Sequence, residues 1–308
     1  MSEPGGSARV LVTYGWCRTA YAAVKALAAR GHRVFACDSN VPAMCGWSRF
    51  TRASATVADP FTVPERFVQD VARLVRTWRI DVVLPGHEDG LVLRRLEDLL
   101  PQGVALACPA RGTYETAVDK GATARVCIDA GLPAPRTRFP SSVEEAAAGA
   151  DAIGYPVVVK VRRSNSGKGV RVARDAGELA GILDGPFRRF CAAPGRFPIV
   201  QELVPGDVVG ACLLADRGEV RTLFQERYLR CKDGTFGTST YRVPMRSEQV
   251  AGVARRLAAA LGYTGIGHVD LIVPPGGREP VVLEMNPRLW GALNLAVVNG
   301  YDFPSAGV

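Results

Sequence analysis

The chain has 308 residues, of which 47% are hydrophobic and 22% charged. That composition fits two or three packed domains and excludes disordered or fibrous classes, and no apolar run approaches the ~20 residues that a spanning helix needs. The net charge of +8 comes from Lys and Arg spread along the chain without a basic tail, so it gives little support to a nucleic-acid binder.

The N-terminus, MSEPGGSAR, lacks a basic stretch followed by an apolar core, and a cytoplasmic location is expected. From there, ARVLVT reads as a short buried strand ending near Gly15. TAYAAVKALAARGH has helical periodicity, with Ala20, Val24, Leu27 and Ala28 on one face and Gly31 as its stop. HRVFACD is a second buried strand, completing a β-α-β unit and implying a parallel sheet. A helix over 65–78, a strand over 80–86, a helix over 88–100 and a strand over 104–109 continue the pattern. The fingerprint G-x-G-x-x-G is missing after the first strand, so Asp38 at the end of the second has no dinucleotide phosphate loop to work with. His87, Glu88 and Asp89 follow a strand at its carboxyl end, where open α/β sheets contact ligands. The same acids also suit a helix N-terminus, where they complement the helix dipole.

A helix is expected over 112–131, then the Pro-rich connector LPAPRTRFP. Ser141 or Ser142 caps the next helix, with Glu144 and Glu145 in its first turn. YPVVVKVRR, SNSGKG and VRVARD form a strand, a tight glycine-rich tip and a returning strand. Lys160 sits on the strand, while the tip, Ser164 to Gly169 with Ser166, Gly167 and Lys168, offers backbone N–H groups and charge to phosphates. The tip is not a Walker A loop, and a solvated surface hairpin explains the same residues. PIVQELV is a strand that runs into a Pro205-Gly206 turn. Its Gln201, Glu202 and Leu203 can meet an adenine through backbone groups, with Asp207 downstream for a ribose; an ordinary strand end is the alternative. VVGACLLAD and EVRTLFQERYL are two antiparallel strands turning near Arg217-Gly218, and 248–262 is an amphipathic helix.

The segment GIGHVDLIVPPGGREPVVLEMNPRLWG, residues 265–291, is a hairpin around a Pro-Gly turn. Residues two apart on a strand share a face, so Glu284 and Asn286 project together and the hairpin can bring Asp270 beside them. Two carboxylates and an amide oxygen make a hard, all-oxygen site suited to magnesium between protein and phosphates. Arg288 can reach a transferring phosphoryl group or a carboxylate. Solvated strand-end acids are the alternative for this stretch alone. The eight cysteines form no C-x-x-C pair and the three histidines no H-x-x-x-H, so reduced core thiols are expected and a zinc enzyme is not.

Taken in order, the lysine hairpin, the QE-x-x-PG-D strand end and Asp270 before Glu-x-Asn-Pro-Arg resemble the ATP-grasp superfamily. The likeness is to its carboxylate–amine ligase branch, similar to carbamoyl-phosphate synthase and amino-acid ligases. The resemblance implies α/β and α+β architecture: an N-terminal open parallel, Rossmann-like domain over 1–111, then a two-part ATP-grasp domain over 112–199 and 200–308 with antiparallel sheets and helices. It implies ATP held by Lys120, Lys160, the 164–169 tip, Gln201, Glu202, Leu203, Val204 and Asp207. Magnesium, or manganese, falls to Asp270, Glu284 and Asn286, and catalysis to Lys160, Arg288 and Arg230, with Arg227, Arg230 and Lys232 toward the acyl substrate. The implied reaction joins a carboxylate, through an acylphosphate, to an amine, with an amino acid as one partner. Neither nucleic acid nor membrane enters it, and a homodimer is compatible with it. An idle ATP-binding module or a basic nucleic-acid binder are the other readings. The resemblance also implies further helices or a small domain after Arg288, where this chain stops at YDFPSAGV.

Overall fold

The computed structural model of the protein describes residues 6–164, 167, 169–192, 195–232 and 239–308. The first five strands, β1 (Arg9–Val12), β2 (Arg33–Asp38), β3 (Thr51–Thr56), β4 (Val82–Leu84) and β5 (Ala105–Leu106), form a parallel sheet in the order β3-β2-β1-β4-β5. β1, β2 and β4 are nearly continuous apolar runs because helices cover both faces. The order reverses between β1 and β4, which leaves a crevice at their carboxyl ends. The expected strands and helices of this region are present; β3 is an addition. Its sequence, TRASAT, alternates half-buried and exposed residues on a sheet edge, so it carries no apolar run.

The expected single helix over 112–131 is two, Arg111–Val118 and Lys120–Asp129, broken at Asp119. Asp119 takes an extended backbone, and its carboxylate accepts from the N–H groups of Gly121 (2.9 Å) and Ala122 (3.1 Å). The same oxygen accepts from Arg162 Nε at 2.8 Å, and Lys120 N donates to Arg162 O at 2.9 Å. The break thus clips the second helix to the lysine hairpin. Asp119→Ala is expected to lower stability by about 1–2 kcal/mol, the usual worth of a cap. An unchanged denaturation midpoint would show that the break is held by other contacts.

A small sheet, β6 (Thr137–Arg138), β9 (Ile199–Glu202), β7 (Val157–Lys160) and β8 (Val170–Ala173), pairs antiparallel in the order β6-β9-β7-β8. Helices Val143–Ile153 and Ala176–Asp184 pack on it through Ala146, Ala150, Leu179 and Leu183. Ser142 is the cap of the first, as expected, accepting from Glu145 N.

The third sheet is antiparallel, β12 (Ser239–Met245), β11 (Glu219–Cys231), β10 (Asp207–Asp216), β13 (Gly265–Val273) and β14 (Val281–Asn286). β10 and β11 turn at Arg217 and Gly218, both at positive φ. One face of this sheet is apolar: Val209, Ala211, Leu213, Val269, Leu271, Val282 and Met285 pack against Val250, Val253, Ala254 and Leu257 of helix Glu248–Ala260. Period two forces the alternate residues onto the other face, which carries the site. Beyond β14, Leu289, Trp290, Leu293 and Phe303 return to the first sheet and bury against Val24 and Leu27 of helix Arg18–Ala29. No described helix is long and apolar enough to cross a membrane.

Candidate active site

The polar face of the third sheet is organised in rows across its strands. Gly210 on β10 pairs with Glu226 on β11 and with Asp270 on β13, and Asp270 pairs with Glu284 on β14. In the next row Cys212 pairs with His268, and His268 with Asn286. Asn286 Nδ2 donates to Asp270 Oδ2 (3.1 Å) and Glu284 Oε1 (3.3 Å), so one amide holds both carboxylates. Lys120 Nζ pairs with Glu284 Oε2 at 2.9 Å and donates to Ser164 O at 2.8 Å, joining this face to the lysine hairpin.

Two carboxylates on adjacent, paired strands repel each other. Burial pushes the Asp270 carboxyl up, and the charge of Glu284 adds to that, although His268 and Tyr228 pull it down. Burial also acts on Glu284, but Lys120, with Lys160 and Asn286, overcomes it and holds Glu284 down to about 2. Lys160, 8% exposed on β7, is pushed down to about 8 by burial and by Lys120, with Glu284 opposing. The centre is therefore a set of hard oxygen donors with lysines at its edge, a donor set that fits a magnesium-sized cation.

These groups line a cleft of about 1600 Å³ between the sheets. Of the expected residues, Lys120, Lys160, Ser164, Gly167, Glu202, Leu203, Val204, Asp270, Glu284, Asn286 and Arg288 are on its wall. Ser166 and Lys168 lie outside the described residues. Gly169 forms the neck of the tip, where Val161 N donates to its carbonyl at 2.8 Å; a Cβ there would stand 2.3 Å from Ser164 Oγ.

Four of the expected residues are off this wall. Asp207 is not on the cleft wall: its neighbours Gly206 and Val208 are, while its own carboxylate pairs with Arg227 Nη2 at 2.8 Å. Strand alternation turns Asp207, and Arg227 paired with it, to the face away from the cleft. Gln201 is buried in the middle of the small sheet, in register with Thr137 and Val158, and its side chain donates to Thr137 Oγ1 at 2.9 Å. Arg230 is exposed and bonds Thr240 Oγ1 at 3.0 Å; register shifts on both sides of it rotate it away from the cleft, where Lys232 does reach.

Three residues that the sequence did not single out, Tyr228, Arg242 and His268, complete the wall, with Glu226 buried behind them. Arg242, opposite Tyr228 in the β11–β12 register, pairs with the fully buried Glu226 and lies over the Tyr228 ring at 3.9 Å. The Tyr228 hydroxyl donates to Asp270 Oδ1 and lies 3.2 Å from His268 Nε2. Gly210 permits this crowding, since a Cβ there would stand 2.6 Å from His268 Nε2. His268 was legible in principle, being two residues before Asp270 on the same face. Cys212, Glu226 and His268 bring possible ligand atoms within 4.8 Å, but Arg242 already neutralises Glu226 and burial pushes the Cys212 thiol well up.

The chain matches the model of the ATP-grasp domain over residues 117–292, more than half its length. It belongs to the ATP-grasp family. It is 31% identical over 229 residues to a formate-dependent phosphoribosylglycinamide formyltransferase of Rhodococcus jostii, covering 70% of this chain and 55% of that protein. It is 31% identical over 250 residues to a D-alanine–D-alanine ligase of Desulforudis audaxviator, covering 73% and 76%. The chain thus spans about half of the first relative and three quarters of the second. Among solved structures, it resembles the biotin carboxylase domain of Hydrogenobacter thermophilus 2-oxoglutarate carboxylase, in complex with MgADP, with a TM-score of 0.81 at 18% identity, covering 98% of this chain and 69% of that one. An L-amino acid ligase from Bacillus licheniformis has a TM-score of 0.74 at 17% identity, covering 98% and 73%. These structural likenesses show a shared fold over nearly the whole chain.

The crevice of the parallel sheet adjoins this ATP-grasp cleft. Arg288 Nε is 3.7 Å from Glu88 Oε1, and His87 is on the cleft wall. Asp89 is structural: fully buried, it accepts from the Thr13 hydroxyl and from His87 N at 2.9 Å. Burial raises its carboxyl to about 6 despite those bonds. A raised folded value means that its contribution to stability is full below its ordinary value of 3.8 and is lost as pH rises through about 6. On a scale of about 1.4 kcal/mol per unit, the wild type should lose up to a few kcal/mol across that window. Asp89→Asn should remove that slope from urea unfolding measured between pH 4 and 7; an unchanged slope would assign it to other groups.

Proposed function

We propose that the protein is an ATP-dependent, ADP-forming ligase that joins a carboxylate to an amine through an acylphosphate. The observation that carries this reading is the Asp270–Glu284 pair, with Asn286 beside it, sharing one cleft with Lys120, Lys160 and Arg288. ATP-grasp relatives named as ligases support it. In this reading residues 1–111 supply the substrate crevice, 112–199 the phosphate-covering hairpin, and 200–308 the adenine hinge and the metal site.

Glu202, Leu203 and Val204 hold the adenine, and Lys120, Lys160 and the 164–169 tip the phosphates. Asp270, Glu284 and Asn286 hold magnesium, or manganese, which supplies charge neutralisation at the phosphoryl oxygens when bound. Tyr228 and His268 fix Asp270. Arg242, 12% exposed on the cleft wall, replaces Arg230 as the cation toward the acyl carboxylate. A carboxylate oxygen attacks the γ-phosphorus, the β,γ bond breaks and ADP leaves. Lys160 and Arg288 neutralise the charge that develops on the phosphoryl oxygens. The amine nitrogen then attacks the acyl carbon, phosphate leaves and the amine gives up a proton. The tip keeps water from the acylphosphate. The substrates are small molecules, an amino acid among them. Nucleic acid and membrane have no part in this reading, which places the protein in the cytoplasm, with a homodimer as its assembly.

The test is Mg-ATP turnover with pools of carboxylates and amines, singly and combined. ADP and phosphate appearing only when both substrate classes are present support the ligase. Release of AMP and pyrophosphate would contradict it.

A further inference from the structure

Three loops at the carboxyl ends of the parallel sheet bring aromatic rings together. Tyr14 and Trp16 follow β1, Phe61 follows β3 and His87 follows β4. Tyr14 stacks on His87, with centroids 4.9 Å apart and planes at 22°. Trp16 stands edge-on to Tyr14 at 5.8 Å, and Phe61 does so at 6.3 Å. Trp16 is 46% exposed and Phe61 53%, although both lie beside rings they could bury against. Exposed clustered aromatics mark a contact surface.

The backbone is bent to make this wall. Tyr14 has φ +56°, a left-handed conformation that a bulky residue rarely adopts and that collects at functional sites. Gly86 presses the two loops together: a Cβ there would stand 2.3 Å from Thr13 O, so a larger residue would part Tyr14 from His87. His87 joins the wall to the reaction cleft, which Arg18 and Arg288 also line. Burial, and Arg288 beside it, push His87 down to about 3, so it presents a neutral ring. Beyond it, Glu88 lies against Arg288.

The aromatic rings adjoin the cleft through His87, on whose wall Arg288 also stands with Glu88 beside it, and a ring flanked by a cation and a carboxylate complements an aromatic amino acid. We propose that one substrate is such an amino acid, its ring against Tyr14, Trp16 and Phe61, its carboxylate toward Arg288 and its ammonium toward Glu88. Flat rings stack on aromatic faces with a preference that aliphatic side chains lack. The proposal rests on the ligase reading for the reaction, but its binding step does not.

The experiment uses the full chain and L-phenylalanine, with L-alanine as the control. Binding is followed by tryptophan fluorescence and by calorimetry, and turnover by ADP release. L-Phenylalanine should bind at least tenfold tighter than L-alanine. Trp16→Ala and Phe61→Ala, at exposed positions, should each weaken L-phenylalanine at least threefold while leaving Mg-ATP affinity unchanged. Equal affinity for the two amino acids, or no effect of either substitution, overturns the proposal. Phenylalanine binding without ADP release under any amine supports the pocket and counts against the ligase. ADP release with aliphatic but not aromatic amino acids supports the ligase and overturns the pocket.

Discussion

Replacing Glu284 by Gln is expected to lower Mg-ATP-dependent turnover by ~10²-fold or more while the protein stays folded, because charge stabilisation at a reacting phosphoryl group commonly carries that much rate. Glutamine keeps the shape of the side chain but removes the anion that pairs with Lys120 and accepts from Asn286. The fold should tolerate it. The ion pair with Lys120 at 2.9 Å is lost, but so is the repulsion between two buried carboxylates on adjacent strands. Raising magnesium should recover part of the activity if the loss is in metal affinity. Steady-state kinetics against magnesium, alongside a thermal midpoint, separate the two effects. Full activity in the variant would remove Glu284 from the metal site.

Lys160→Ala is expected to weaken ATP binding by about 10- to 100-fold, the worth of one hydrogen bond to a charged group at roughly 1.5–3 kcal/mol. Lys160 is nearly buried at the end of β7, and Val159 and Val161 beside it are core residues. Its ammonium is thus held by the strand and need not be ordered on binding. Burial disfavours that charge in the folded protein, so its removal should not unfold the chain. Calorimetry with ATP and magnesium measures the loss directly. Unchanged affinity would move the phosphates elsewhere in the cleft.

Much of this site was legible in the sequence, for a physical reason. The Asp270–Glu284 pairing follows from a tight hairpin and a period of two, both local. Lys160 follows from a strand leading into a glycine-rich tip. What failed depended on parity or on distant register. Arg230 lies two residues after Tyr228 and should share its face, but the register shifts between them break the count. Asp207 sits one residue from the wall, and one residue is enough to reverse a strand side chain. The row Glu226–Gly210–Asp270–Glu284 joins four strands separated by long stretches of chain, and no periodicity reports such pairing. Arg242 sits on β12, which the sequence did not reveal because STYRVPM carries a proline and few buried residues. The parallel sheet was legible except at its edge, where TRASAT has no apolar run. The break at Asp119 leaves no mark in the periodicity because the flanking segments are both helical, and only the cap distinguishes them.

The most direct test of the ligase is the fate of a carboxylate oxygen. With an amino-acid pool labelled with ¹⁸O in its carboxylates, an amine pool and Mg-ATP, an acylphosphate route must deliver one labelled oxygen to each phosphate released. ADP together with singly labelled phosphate is the predicted result. Unlabelled phosphate, or AMP in place of ADP, would contradict the account.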